Sequence, residues 1–381
     1  MLQEIAAAIH REDYRAAAQL LKPLLKTRKD DLWVQFYVGR VQEGMGKRNA
    51  AEQLYLKLLP QTSNPKLMAQ IRQGIQRIEQ QYNHDQETAI ADAVKTPTGQ
   101  QTAVLILEPI VPAGIQDGMG AGAAATDHKK MAEYKKLAAQ AFGKVFNLDA
   151  YSARLQLPSR GWRLYRSGPL GELDYYVQAL RQVNVPSFAI ALAQIAQLKV
   201  FTIHYFKTLL PQPQVRCVNT KGQAGMLRFD WSAVTGRVMG RIPLFESVVT
   251  LDAKRRLQRK TQTQDYVPFC DLHLPSEGCI LRLAERSYEF NQGIALVPET
   301  RSPIERDTVS QSWLYLMEQL AEPLQTVPIY AEFDPFANTV IDWRELLGGI
   351  EHHISLERRQ PSLWDGAFHL YSGLAYWRSQ M

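Results

Sequence analysis

Ala17 and Ala51 lie 34 residues apart, and the apolar residues around them repeat in register: Leu20 with Leu54, Leu21 with Tyr55, Leu24 with Leu58, Leu25 with Leu59. That period is the length of a helix-turn-helix unit, and such a unit cannot bury its apolar face alone. It stacks on its neighbours and leaves an extended groove that commonly receives another polypeptide. The N-terminus is thereby confined to a helical repeat, and partner binding becomes the first functional expectation.

Helical apolar spacing divides residues 2–81 into about five helices, with breaks near Glu12-Asp13, Arg28 to Asp31, Gly46 and Thr62 to Pro65. Asn64 followed by Pro65 is a strong helix start: the Asn side chain can accept an orphan amide bond, and proline lacks the amide that would need one. This stretch resembles the tetratricopeptide repeat family, with Gly39, Ala51 and Tyr55 at that family's small, small and aromatic sites. It departs from the family at Gln42, where an aromatic is usual, at Pro23 inside the second helix, and in a closing proline displaced to Pro65. The resemblance implies a short partner-binding groove, for which Trp33, Tyr37 and Gln42 are the candidate contacts. The whole chain is similar to cyanobacterial proteins with terminal helices of this kind, on the stretches Leu157 to Arg166, Cys270 to Pro275 and Trp364 to Gly373.

Beyond the repeat (1–82), loss of apolar periodicity marks 83–101 as a linker. Strands alternating with amphipathic helices then predict an α/β domain over 102–210, an α/β sandwich near the ferredoxin-like topology. Its elements are strand Thr102 to Ile110, helix Lys129 to Lys144, strand Gly161 to Tyr165, helix Leu170 to Gln182, and strands Ser187 to Leu192 and Val200 to Tyr205. A β-rich region follows over 211–300, with turns at Val234 to Arg237 and Leu274 to Gly278 where glycine permits tight reversal. Helices return over 301–381: Val309 to Ala321, Ile341 to Glu357 and Leu363 to Ser379, with a short strand at Ile329 to Phe333. The fold class expected is multi-domain α+β.

Composition adds bounds. With 381 residues, 45% apolar and 22% charged, the chain is ordinary globular material, and a net charge of +6 with pI near 9.1 permits an anionic partner without demanding one. The three cysteines, Cys217, Cys270 and Cys279, make no Cys-x-x-Cys pair, which fits a reducing, cytoplasmic setting rather than a disulfide framework. The first ten residues lack the basic-then-apolar pattern of a secretory signal and read as a helix. The most apolar stretch, Phe188 to Leu210, is broken by Gln194, Gln197, Lys199, His204 and Lys207, against a membrane span.

Each constellation that could carry chemistry has a plainer structural explanation. Gly118-Met-Gly-Ala-Gly122 offers bare amides to a phosphate, but it lacks the tight strand-to-helix spacing and the Gly-Lys-Ser/Thr of nucleotide loops. Cys270, His273 and Cys279 supply only three soft ligands, and strand alternation points His273 away from Cys270, so buried thiols are expected and no metal. His353 with Glu357, and Asp365 with His369, are four apart on predicted helices and read as surface pairs without a third partner. Lys254, Arg255, Arg256, Arg259 and Lys260 form a basic run suited to an acidic protein, an anionic membrane surface or, less well without stacking aromatics, nucleic acid; they read as an exposed loop. Arg160, Arg163 and Arg166 are second anion-contact candidates. No hydrolase or metalloprotease signature occurs. The expectation is a cytosolic scaffold, assembly or regulatory protein without catalytic residues or cofactor; the alternative is a regulator binding a nucleotide or other anion through the central domain or the basic run.

Overall fold

The computed structural model describes residues 1–110, 125–251, 257–296, 308–358 and 362–381. The chain divides into two compact units, Met1–Asp92 and Ala93–Met381.

The first unit is a stack of helices: α1 (Leu2–His10), α2 (Tyr14–Thr27), α3 (Leu32–Gly44), α4 (Arg48–Leu58) and α5 (Pro65–Val94), whose last two residues belong to the second unit. Its helix starts follow side-chain chemistry. Asp13 accepts from the Ala16 amide at 2.9 Å, Asp31 from the Trp33 amide at 2.8 Å, and Asn64 from the Lys66 and Leu67 amides at 3.0 and 3.2 Å. The 34-residue register is a register of burial: Ala17, Leu21 and Leu24 are buried in one layer as Ala51, Tyr55 and Leu58 are in the next. The helix α5 runs through Val94, so the first part of the stretch expected to be a linker is helical. Its Gln, Glu and Ala residues favour a helix while leaving it little apolar face to display in the sequence.

The second unit is layered. One sheet has the order β2-β1-β3, in which β1 (Thr102–Leu107) pairs antiparallel with β2 (Arg163–Pro169) and β3 (Ser187–Ala191). Between them come α6 (Ala125–Phe146), α7 (Ala150–Gln156) and α8 (Leu170–Gln182), and the short α9 (Leu192–Ala196) follows β3. The next strand, β4 (Lys199–Thr208), joins a second sheet instead. That sheet has the order β10-β7-β8-β9-β4-β5-β6, formed with β5 (Gln214–Asn219), β6 (Ala224–Arg228), β7 (Gly236–Leu251), β8 (Leu257–Leu274), β9 (Cys279–Ala284) and β10 (Ile329–Tyr330). The Leu274 to Gly278 reversal is present, with Gly278 at φ 61°. The one expected at Val234 to Arg237 is absent: Gly236 opens β7, which lies far across the sheet from β6.

The helices α10 (Val309–Ala321), α11 (Phe333–Val340), α12 (Arg344–Gly348) and α13 (Leu363–Arg378) complete the layers. Trp313, Leu316 and Leu320 of α10 cover one face of the larger sheet, packing on Cys270, Leu272 and Leu281. On the other face α13 lies between the two sheets: Phe368, Leu370, Tyr371 and Leu374 share a core with Phe269 and Val267 on one side and Ile106 and Ile190 on the other. Every residue of α13 from Asp365 to Tyr376 is buried. A helix with no wet face carries no amphipathic stripe.

The predicted helix Ile341 to Glu357 is instead α12 and a strap without regular secondary structure. Gly348 and Gly349 end α12, since successive glycines give the backbone freedom a helix must suppress. Residues 351–358 then cross the core edge, and Ile354 is buried within it.

Candidate functional site

The surface of the first unit is organised by α3. Trp33, Tyr37 and Arg40, at helical spacing, share one face and are half-buried. The rings of Trp33 and Tyr37 lie 6.2 Å apart, and both pack around Phe36. Gln42, expected alongside them, is not on that face: five residues beyond Tyr37 on a helix turns it well over 90° away. Its buried Oε1 has no hydrogen-bond partner among the described residues.

Behind this face the layers are locked by Tyr55. Its ring sits between Gly39 and Gly74, where an added Cβ would come within 2.5 and 2.6 Å of ring carbons, so only glycine lets the helices approach this closely. The Tyr55 hydroxyl donates to Glu43 Oε2 at 2.8 Å, and Arg77 grips both oxygens of Glu43 at 2.7 and 3.1 Å. Burial, then the Glu43 charge, raises the Tyr55 pKa far above the usual phenol range, so the hydroxyl remains a donor. Arg40 ion-pairs with Glu43 at 3.6 Å, and its buried Nε–H finds no hydrogen-bond acceptor among the described residues.

In the second unit, helical spacing places Asp365, His369 and Ser372 along one stripe of the buried α13, each with zero exposure. They meet Asp271 and His273 of β8, which alternation sets on the face opposite Cys270, and Arg282 of β9. Arg282 donates to both oxygens of Asp271 at 2.8 and 2.7 Å and to the His352 carbonyl at 2.7 Å, and its Nη2 lies 3.4 Å from His369 Nδ1. Ser372 Oγ donates to Asp271 Oδ2 at 2.6 Å, and His273 Nε2 lies 3.1 Å from that Oγ. Arg358 of the strap ion-pairs with Asp365, and the His353 and His369 rings meet edge to face with centroids 5.5 Å apart.

The electrostatics keep these imidazoles neutral. Burial pushes His273 down to about 4; burial, then the Arg282 charge, holds His369 well below the usual imidazole value; burial leads the lowering of His352 and His353. Ser372, Asp271 and His273 are a serine, a carboxylate and an imidazole within reach of one another. In this geometry the serine proton goes to the aspartate, Arg282 neutralises that aspartate, and none of the three has solvent-accessible area. The arrangement fastens α13 to the sheet. A cleft of about 1430 Å³ opens beside the strap, lined by His204, Glu285, Glu289, Glu351, His352 and His353 among others.

The remaining sequence candidates are placed as follows. The three thiols are free and buried, and among the described residues no group of His, Cys, Asp or Glu has the arrangement of a metal site. Burial pushes Cys270 up to about 12 and Cys279 up to about 11. His353 and Glu357 share no helix, and Asp365 and His369 are core groups rather than a surface pair. Arg160 pairs with Glu332 at 2.7 Å, Arg163 donates to the Leu155 carbonyl at 2.7 Å, and Arg166 pairs with Glu172 at 3.0 Å while lying over Tyr176, so these three are engaged within the fold. Gly118 to Gly122, with Lys254, Arg255 and Arg256, lie outside the described residues. Arg259 and Lys260 are exposed and belong to β8 rather than a loop, paired with Val249 and Val248. The residues that sequence reading misses are Asp271, Arg282 and Ser372; alternation around Cys270 is the one signal that could have set Asp271 beside His273.

Among the described residues no helix is long and apolar enough to cross a membrane. Comparison of the chain with known proteins found no family model, no curated protein and no solved structure that matches it.

Proposed function

We propose that this chain is a partner-binding protein whose N-terminal helices hold a peptide segment of another polypeptide, in the manner of a scaffold or assembly factor. The observation that carries the reading is the face of α3, where Trp33, Tyr37 and Arg40 stand in line on a repeat-like stack. Half-buried aromatic rings beside a guanidinium are the residue types that dominate binding energy at protein interfaces. They suit a short helix or extended strand with an apolar anchor.

The test is quantitative capture of cross-linked partners by the full chain and by a Trp33→Ala, Tyr37→Ala variant. Loss of an anchor of this kind costs more than about 1 kcal/mol, so affinity for a genuine partner should fall by roughly thirtyfold or more for the pair. An unchanged partner set at unchanged yield overturns the reading.

A further inference from the structure

The hairpin of β7 and β8 extends beyond its sheet. β10 pairs only with Arg237 and Val238, and β9 reaches only as far as Phe269, whereas β7 and β8 stay paired out to Leu251 and Leu257. Its base is anchored by the buried Ile242, Leu244 and Val267. From Phe245 to Leu251 and back from Leu257 to Thr263 it is a two-stranded ribbon about 24 Å long, at ~3.4 Å per residue, to which no third strand pairs among the described residues. A lone ribbon of two strands has no core to stabilise it.

The ribbon is amphipathic. Directly opposed residues share a face and alternate residues return to it, so Phe245 (opposite Thr263), Val249 (opposite Arg259) and Leu257 line up with Arg259 on one side. Among them Phe245 is 40% exposed, Val249 58% and Leu257 79%. The opposite face carries Glu246 paired with Gln262, and Lys260. By sequence, the stretch 245–263 holds five cations against Glu246 and Asp252, although three of the five, Lys254, Arg255 and Arg256, lie outside the described residues. Arg259 and Lys260 are the two cations that the paired strands themselves display.

We propose that this ribbon docks on an anionic lipid bilayer, laying Phe245, Val249 and Leu257 into the headgroup boundary with Arg259 at the phosphates, while Lys260 on the other face adds to the attraction of the anionic surface. Exposed aliphatic and aromatic residues sharing a face with a cation are what interfacial membrane contact requires, since apolar burial and attraction to anionic headgroups act together. A nucleic-acid groove would accept a ribbon of this width, but it would place cations and hydrogen-bonding side chains, rather than Val249 and Leu257, against the phosphates. This inference is independent of partner binding by the N-terminal helices.

The test uses the full chain with vesicles of phosphatidylcholine alone and vesicles containing phosphatidylglycerol. Because the three native thiols are buried, a Leu257→Cys substitution labelled with an environment-sensitive fluorophore reports from the ribbon alone. Its emission should shift to the blue with anionic vesicles and stay fixed with neutral vesicles or with a DNA duplex. In sedimentation, Arg259→Gln with Lys260→Gln should weaken binding to the anionic vesicles by about fivefold per lost charge. Val249→Ser with Phe245→Ser should weaken it without altering its dependence on salt, and both pairs replace exposed positions, which a thermal melt checks. Equal binding to both vesicle types, an unshifted fluorophore, retained binding by the folded variants, or a blue shift with DNA and not with vesicles would each overturn the proposal.

Discussion

Arg282→Met is expected to destabilise the second unit by about 3–5 kcal/mol. Arg282 is 1% exposed and Asp271 0%, and their two short hydrogen bonds account for much of what satisfies the carboxylate. Removing the guanidinium leaves a buried charge supported by the Ser372 hydroxyl, and breaking a buried ion pair by deleting one partner costs roughly that amount. The His352 carbonyl and His369 Nδ1 lose their donor in the same step. For a unit of this size about 2–4 °C of melting temperature accompanies each kcal/mol, so the transition should fall by roughly 6–20 °C. The assay is thermal unfolding by near-ultraviolet circular dichroism, with urea titration as a check. Asp271→Leu combined with Arg282→Met should recover at least half of the loss, because it removes the stranded charge and fills the space with apolar atoms. A single variant costing under about 1 kcal/mol, or a double variant as unstable as the single, would refute the account of Asp271 as a buried charge that depends chiefly on Arg282.

Two further outcomes are expected. His273 is neutral in the fold with its pKa lowered to about 4, so the unfolded chain binds the extra proton first as pH falls. The stability this contributes is fully present above about 6.5 and is lost between there and pH 4, by about 3 kcal/mol in all. Urea titrations of wild type and His273→Phe across that window should diverge, and identical slopes against pH would exclude His273 as the titrating group. Gly39→Ala should cost about 1–3 kcal/mol, since the new methyl meets a Tyr55 ring already pressed from the other side by Gly74; Gly348→Ala, which faces open space, should cost nothing in the same melt.

The parts of this architecture that are legible in sequence are those fixed by neighbours along the chain. Asp31, Asn64 and Pro65 announce their helix ends because a cap is a local hydrogen bond, and α10 and α8 appear with the bounds their apolar spacing predicts. What is not legible depends on distant partners. Ser372 meets Asp271 across 101 residues, Arg282 meets His369 across 87, and nothing local distinguishes them from surface groups. The bounds of α13 are readable but its complete burial is not, since helical spacing of Asp365 and His369 is the same on a wet face and inside a core. The ribbon reads as a loop because Lys, Arg, Gln and Thr in succession lack the apolar alternation of a half-buried strand.

The position of α13 between the sheets has a consequence for how the chain is made. The faces of β7, β8 and β9 that it covers are complete once Ala284 has been added, yet their cover ends at Arg378. A ribosome adding about 5–20 residues per second needs roughly 5–20 s to cross that interval. Throughout it, Val238, Val267 and Phe269 stand uncovered by α13, with Asp271 and Arg282 in water that will later be expelled. Slowing translation between these two points should lower the yield of folded protein more than slowing it anywhere upstream.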